Sequence, residues 1–173
     1  MRFPGWRAAS IALVVAGLAV PLTATAASAS PRHDLSPQSF TLVFSPRAQN
    51  GDVNARGPVH GQGGTDNQTS NTTDFFVFNH GNSVKVRHTD VSNVPARINW
   101  RNCTAAGFAN GRWTFDGGTG RYANATGFGH FTFAEFYKLD RTRSGRCDPN
   151  PDHAKSFLIV VNGSGVASAG NGH

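Results

Sequence analysis

From Phe40 onward the chain alternates apolar and polar side chains over short runs broken by Gly, Asn, Asp and Pro. Such period-two runs read as half-buried strands, and no twelve-residue window repeats at helical spacing. The pattern predicts eight strands, at Phe40 to Phe44, Val53 to Gly61, Asp74 to Asn79, Ser83 to Thr89, Ala96 to Cys103, Gly107 to Phe115, Ala125 to Tyr137, and Ser156 to Val166. Turn residues such as His80-Gly81-Asn82 between them indicate an antiparallel sandwich or barrel. The 20 glycines and 13 phenylalanines fit that class, because glycine makes turns and bulges and aromatics fill the space between curved sheets. One domain is expected over 40–166. It is preceded by a polar leader at 30–39 and followed by a small, polar tail at 167–173, each read as flexible.

The first 29 residues carry a different pattern. Arg2 and Arg7 precede an apolar run from Ile11 to Leu22, and Ala27-Ser28-Ala29 supplies small residues at a cleavage site. This is the layout of a secretory signal peptide over 1–29, so a secreted, extracellular protein is expected. No later stretch approaches the roughly 18 apolar residues of a membrane helix, and no membrane association is expected after cleavage. About 144 residues follow Ala29, enough to bury a core. They hold Cys103 and Cys147, for which an oxidising compartment makes a disulfide the default.

The net charge is +6 and the pI about 10.2, with two of the positive charges in Arg2 and Arg7. Most remaining bases are scattered singly, and the one cluster, Arg141, Arg143 and Arg146, lies in a polar stretch before Cys147. That distribution does not predict a nucleic-acid partner. Gly118-Thr119-Gly120-Arg121-Tyr122-Ala123 matches the glycine fingerprint of a dinucleotide-binding turn, and Asp140 stands 20 residues after Gly120. The fingerprint works only where a helix leaves the glycines. Here the following residues alternate as a strand, so a hairpin is expected and no nucleotide cofactor.

The same stretch carries a resemblance. Gly117 to Gly127 resembles the Gly-Gly-Thr-Gly-Arg-(Phe/Tyr)-x-x-Ala-x-Gly hairpin of the allene oxide cyclase barrel-like and dirigent-like superfamily, which includes small secreted bacterial proteins. Upstream, GPVHGQG at 57–63 and DFFVFNHGNSVKVRHT at 74–89 are similar too, and the likeness spans Phe40 to Val166. It implies an all-β, eight-stranded antiparallel, calycin-like barrel with a cavity at one end. On that fold Gly117, Gly118 and Gly120 would form a tight turn, Gly127 and Gly129 would let a strand coil, and Arg121 would cross a neighbouring strand or pair with Asp116.

Candidate chemistry follows from strand parity. Phe131, Phe133, Glu135 and Tyr137 share one face of a strand, and Glu135 is the only glutamate. Facing inward, its carboxyl would enter an aromatic interior and become an acid, a base or a ligand anchor. Facing a rim, it would be a solvated partner of an arginine. His88 shares a face with Val84 and Val86 and is a candidate partner for Glu135. Catalytic candidates are therefore Glu135, His88 and Tyr137, and the aromatic set Phe76, Phe78, Trp100, Trp113, Phe131 and Phe133, with Phe115, would line a pocket or fill a core. His60, His80, His130 and His153 lack metal-ligand spacing. Asp148 to His153 begins like a calcium loop but has His153 where glycine is required and Ile159 where the closing glutamate belongs. No metal site is expected, and an adventitious calcium is the most that loop offers. Asn67, Asn71, Asn102, Asn124 and Asn162 begin glycosylation sequons, given little weight because the signal peptide reads as bacterial. Three functions stay open: a binding module for a small hydrophobic or phenolic molecule, a cyclase- or coupling-type enzyme, and a filled barrel acting through its surface. Ligand identity and oligomeric state are not encoded in these patterns.

Overall fold

The computed structural model describes residues 34–170 apart from 71, without the side chains of 49 and 67–70. The predicted signal peptide and the first part of the leader lie outside the described residues, as do 171–173. Eight strands run in chain order: β1 (Ser36–Ser45), β2 (Ala48–Arg56), β3 (Gly61–Ser70), β4 (Thr73–Phe78), β5 (Ser83–Asn99), β6 (Thr104–Thr119), β7 (Thr126–Lys138) and β8 (Ser156–Ser168). Each pairs antiparallel with the next, and β8 returns to β1 to close a barrel. Among the described residues there is no α-helix, only three single-turn 3-10 segments.

The alternation predicted from the sequence is the one that builds the wall. Phe40 and Leu42 of β1, Val53 of β2, Phe76 and Phe78 of β4, Val84 and Val86 of β5, and Trp113 and Phe115 of β6 all point inward and are buried. Eight strands enclose little more than side-chain volume. Large rings therefore need hydrogen-only positions opposite them. Gly163 lies under the Phe40 ring, Gly129 and Gly165 lie against Trp113, and Gly111 lies against Phe131; a methyl group at any of these four would overlap the ring. In the space so made Phe40 meets Phe76 edge-on at 5.0 Å and Trp113 at 5.4 Å, and Trp113 meets Phe115 at 4.6 Å.

One end of the barrel is plugged. After β6 the chain makes a 3-10 turn, Gly120–Tyr122, that drives Tyr122 wholly into the core against Phe78. The Tyr122 hydroxyl donates to the carbonyl of His60 at 2.8 Å and accepts from its amide at 3.1 Å. Arg121 stacks over the Tyr122 ring and donates to the same carbonyl. It does not pair with Asp116, which instead meets Lys85 and Arg87 on the outer wall. Gln38, 3% exposed, donates to the Val59 carbonyl and accepts from the Val59 amide, replacing a strand pairing that the loop lacks. The glycines of the nucleotide-like fingerprint belong to this plug. Gly118 passes so close to Ser83 that no side chain fits, and Gly120 adopts a positive φ of 57°.

Strand boundaries depart from the sequence pattern at four places. The predicted strands at 83–89 and 96–103 fall on one continuous strand, β5, bulged between Asp90 and Ser92 and between Val94 and Arg97; it ends at Asn99, and 100–103 form a turn in which Cys103 has a positive φ of 55°. The predicted strand from Val53 to Gly61 stops at Arg56, and an unpredicted strand, β3, begins at Gly61. β1 starts at Ser36, inside the predicted leader, because Ser36 to Ser39 pair with Ala167 to Ser164. β8 correspondingly runs to Ser168 with Ala167 fully buried, so the predicted tail at 167–173 begins inside the barrel wall.

Candidate functional site

The opposite end of the barrel is open. There β1 to β4 stop short, while β5 to β8 continue as a four-stranded lip. Phe44, near the end of β1, pairs with Ile159, which leaves Ser156 to Leu158 paired only with β7. Likewise β4 pairs with β5 no further than Arg87, so the rest of β5 has only β6 beside it. The disulfide clamps this lip. Cys103, in the turn between β5 and β6, and Cys147, in the loop between β7 and β8, lie at bonding distance at a sequence separation of 44. Around them Ala105 and Leu139 are buried, with Ile98, Tyr137 and Ala154 packed alongside.

Two polar pairs occupy the inner face. His88 on β5 and Asp74 at the start of β4 meet at 3.2 Å from Nε2 to Oδ2, each side chain about three-quarters buried. The hydrogen bond to Asp74 raises the His88 pKa above its ordinary value; burial opposes this, and the charges of Asp74 and Asp90 add to it. The imidazole also stands edge-on to Phe131, with ring centres 6.2 Å apart. Further along β7, the Tyr137 hydroxyl donates to Glu135 Oε2 at 3.0 Å. Burial, and then the neighbouring Glu135 charge, push the Tyr137 pKa up, so the phenol remains a donor. Opposite Glu135 stands Gly107, where any side chain would strike the carboxylate.

Between these pairs the wall is apolar. Phe44, Phe133 and Val161 are partly exposed and pack against the core, and Ile159 faces inward beside Glu135. The open end thus presents aliphatic and aromatic rungs with two hydrogen-bonded polar pairs set among them.

Of the predicted catalytic candidates, Glu135, His88 and Tyr137 all face this end. Glu135 and Tyr137 touch, so the partner of the carboxylate is a phenol rather than an arginine. His88 does not partner Glu135. It is committed to Asp74, and Glu135 lies four residues beyond Phe131, about 13 Å along the strand. Of the predicted ligand-binding set, Phe76, Phe78 and Trp113 are used in the plugged half, packed against other rings. Phe131 sits at the junction, Phe133 lines the opening, and Trp100 is 60% exposed on the turn after β5. Asp74, Ile159 and Val161 were not among the predicted site residues. Asp74 shares parity with Phe76 and Phe78, which places it on the inner face from sequence alone.

Two hollows open on the outer wall. One, about 330 Å³ and broadly open to solvent, is lined by Asn110, Gly111, His130, Phe131, Thr132, Asn162 and Ser164; the other, about 260 Å³, by Ser39, Phe40, Thr41, Asn54 and Arg56. The Asp148–His153 segment satisfies itself: Asp148 accepts from the Asn150 amide and meets His153 at 2.9 Å, and Asn150 accepts from the Asp152 amide. Among the described residues no three His, Cys, Asp or Glu side chains gather as metal ligands. No family model, curated protein or solved structure matches the chain.

Proposed function

We propose that this is an exported, disulfide-clamped, calycin-like barrel of the allene oxide cyclase and dirigent-like kind, and that it binds a small hydrophobic or phenolic molecule at its open end without transforming it. The observation carrying this reading is the inner face at the open end, where partly exposed Phe133 and Val161 stand among the Glu135–Tyr137 and Asp74–His88 pairs. A planar apolar body would cover the Phe133 and Val161 rungs, burying surface worth about 25 cal/mol per Å². A phenolic hydroxyl would donate to the remaining acceptor positions of Glu135, a hydrogen bond to charge of about 1.5–3 kcal/mol. Each polar pair is internally hydrogen-bonded, which fixes its side chains as anchors for a ligand hydroxyl.

The test is thermal denaturation of the protein, disulfide closed, against fatty acids, terpenoids and phenolics. A ligand at a hundred times its Kd adds about 2.7 kcal/mol to stability, a shift of several degrees for a domain this size. The expected result is a hit among phenolics that Phe133→Asp abolishes and Glu135→Gln weakens. A flat panel would sink the binding reading in favour of a barrel acting through its outer surface. Recovery of a chemically changed compound, lost in Glu135→Gln, would establish turnover instead.

A further inference from the structure

The outer face of the lip carries large apolar side chains that the barrel does not use. Val94 faces Phe108 across the β5–β6 pair, and Phe136 faces Leu158 across β7–β8. The rings of Phe108 and Phe136 meet edge-on at 6.0 Å, joining the two pairs into one strip across four strands. All four are between 42% and 51% exposed. The strip runs toward the β5–β6 turn, where Trp100 stands out at 60% exposure. Around it the charges are net basic. Arg97 and Lys138 flank the strip on the same outer face, and Arg101 follows Trp100. The strand segments 92–99, 104–112, 130–138 and 156–164 contain a single acid, Glu135, which points inward, and the β7–β8 loop beside them sets Arg141, Arg143, Arg146 and Lys155 against Asp140, Asp148 and Asp152.

We infer that this face docks on an anionic lipid surface, with Trp100, Phe108 and Phe136 entering the headgroup boundary and Arg97, Arg101 and Lys138 meeting lipid phosphates. The combination selects the occupant. A second copy packed through the same face would set Arg97 and Lys138 near their own counterparts, a like-charge clash. A soluble polyanion would satisfy the bases but leave the rings in water. An anionic interface takes both, and exposed tryptophan beside basic residues is suited to that boundary. Membrane association is not expected from the sequence because hydropathy reports spanning segments, and no helix among the described residues is long and apolar enough to cross a membrane. Peripheral docking by a strand face leaves no such trace. It uses the outer face of the strands whose inner face lines the proposed ligand site, and it stands or falls apart from that site.

The experiment is flotation of the full chain with vesicles of phosphatidylcholine alone or with about one-third phosphatidylglycerol; any contribution of the N-terminal residues is then common to every variant. The expected result is binding to the mixed vesicles, reduced at least tenfold in Phe108→Ser, Phe136→Ser and Trp100→Ser, unchanged in Phe128→Ser, and weakened by salt. Phe128 is an exposed ring elsewhere on the wall and serves as the control. Circular dichroism checks that each variant is folded, and Trp100, on a turn, supplies a variant outside the strands. Absence of flotation overturns the proposal, as does flotation unaffected by the three variants. A dimer in sedimentation velocity that Phe136→Ser dissolves also overturns it and assigns the strip to a second copy. Equal competition by a soluble polyanion in wild type and in Phe136→Ser overturns it in favour of charge alone.

Discussion

At Gly163 a hydrogen atom stands where any larger group would enter the Phe40 ring, and Phe40 in turn contacts both Phe76 and Trp113. Gly163→Ala is therefore overpacked, with an expected cost of about 1–3 kcal/mol in urea denaturation. Phe40→Leu alone is expected to destabilise through lost packing. Combined, the two are expected to be less damaging than their sum, because the leucine vacates space that the methyl needs. Additivity would show that the ring and the glycine do not compete for one volume. The Asp74–His88 pair makes a second prediction, about pH. Its hydrogen bond raises the native His88 pKa above 6.5, so its contribution to stability is complete below the unfolded value and is lost as pH rises through the native one. Carboxylates titrate well below this window. Melting temperature is expected to fall between pH 6 and 8.5 in the wild type, and this slope is expected to flatten in Asp74→Asn. Equal slopes in both would remove the pair as its source.

Strands were readable where the barrel demanded alternation and unreadable where it did not. The inner positions of β3 are Gly63, which lies close against the Val77–Phe78 backbone, and Thr65, whose hydroxyl donates to the Asn50 carbonyl. No large apolar side chain fits there, so the segment has no hydrophobic period to read. In β5 the two bulges shift parity around Pro95, and the resulting run of exposed residues imitates a loop between two strands. The same parity argument put Glu135 and Tyr137 on one face and left open whether that face points inward, as it does. It could not pair His88 with Asp74, since contacts between different strands depend on register, which here the turn between β4 and β5 sets. The lip owes its closure to the clamp between the β5–β6 turn and the β7–β8 loop. At a sequence separation of 44, loop-closure entropy assigns the disulfide about 4 kcal/mol. Reduction is expected to lower the urea midpoint accordingly and to raise hydrogen exchange first at 98–105 and 137–156, where the small second core sits. Uniform loss of protection around the barrel would mean that the clamp holds the whole molecule rather than the lip.

At the scale of the molecule, closure joins the two ends of the sequence. Thr41 donates to Asn162 across 121 residues, and all of β1 from Ser36 to Phe44 pairs with β8 from Ala167 to Ile159. Within the closed part of the barrel every strand then has two neighbours, which confines open edges to the lip, along β5 beyond Arg87 and the first residues of β8. It also makes the last strand indispensable, since β8 completes the pairing of both β1 and β7. Composition alone assigns 167–173 to a frayed end, because Ala, Ser and Gly carry no hydrophobic signal. In the barrel Ala167 is fully buried between Ser36 and Gly127, Ala169 packs on the core, and Gly170 comes against Asn124 with a positive φ of 69°. Deletion of 167–173 removes those contacts and the last ladder hydrogen bonds, an expected loss on the order of 2 kcal/mol. Urea denaturation of the truncated chain should keep one cooperative transition at a lower midpoint, since the lost pairing belongs to the same closed sheet as the rest. A midpoint equal to wild type would mean that these seven residues add nothing to closure and that the barrel is complete at Val166.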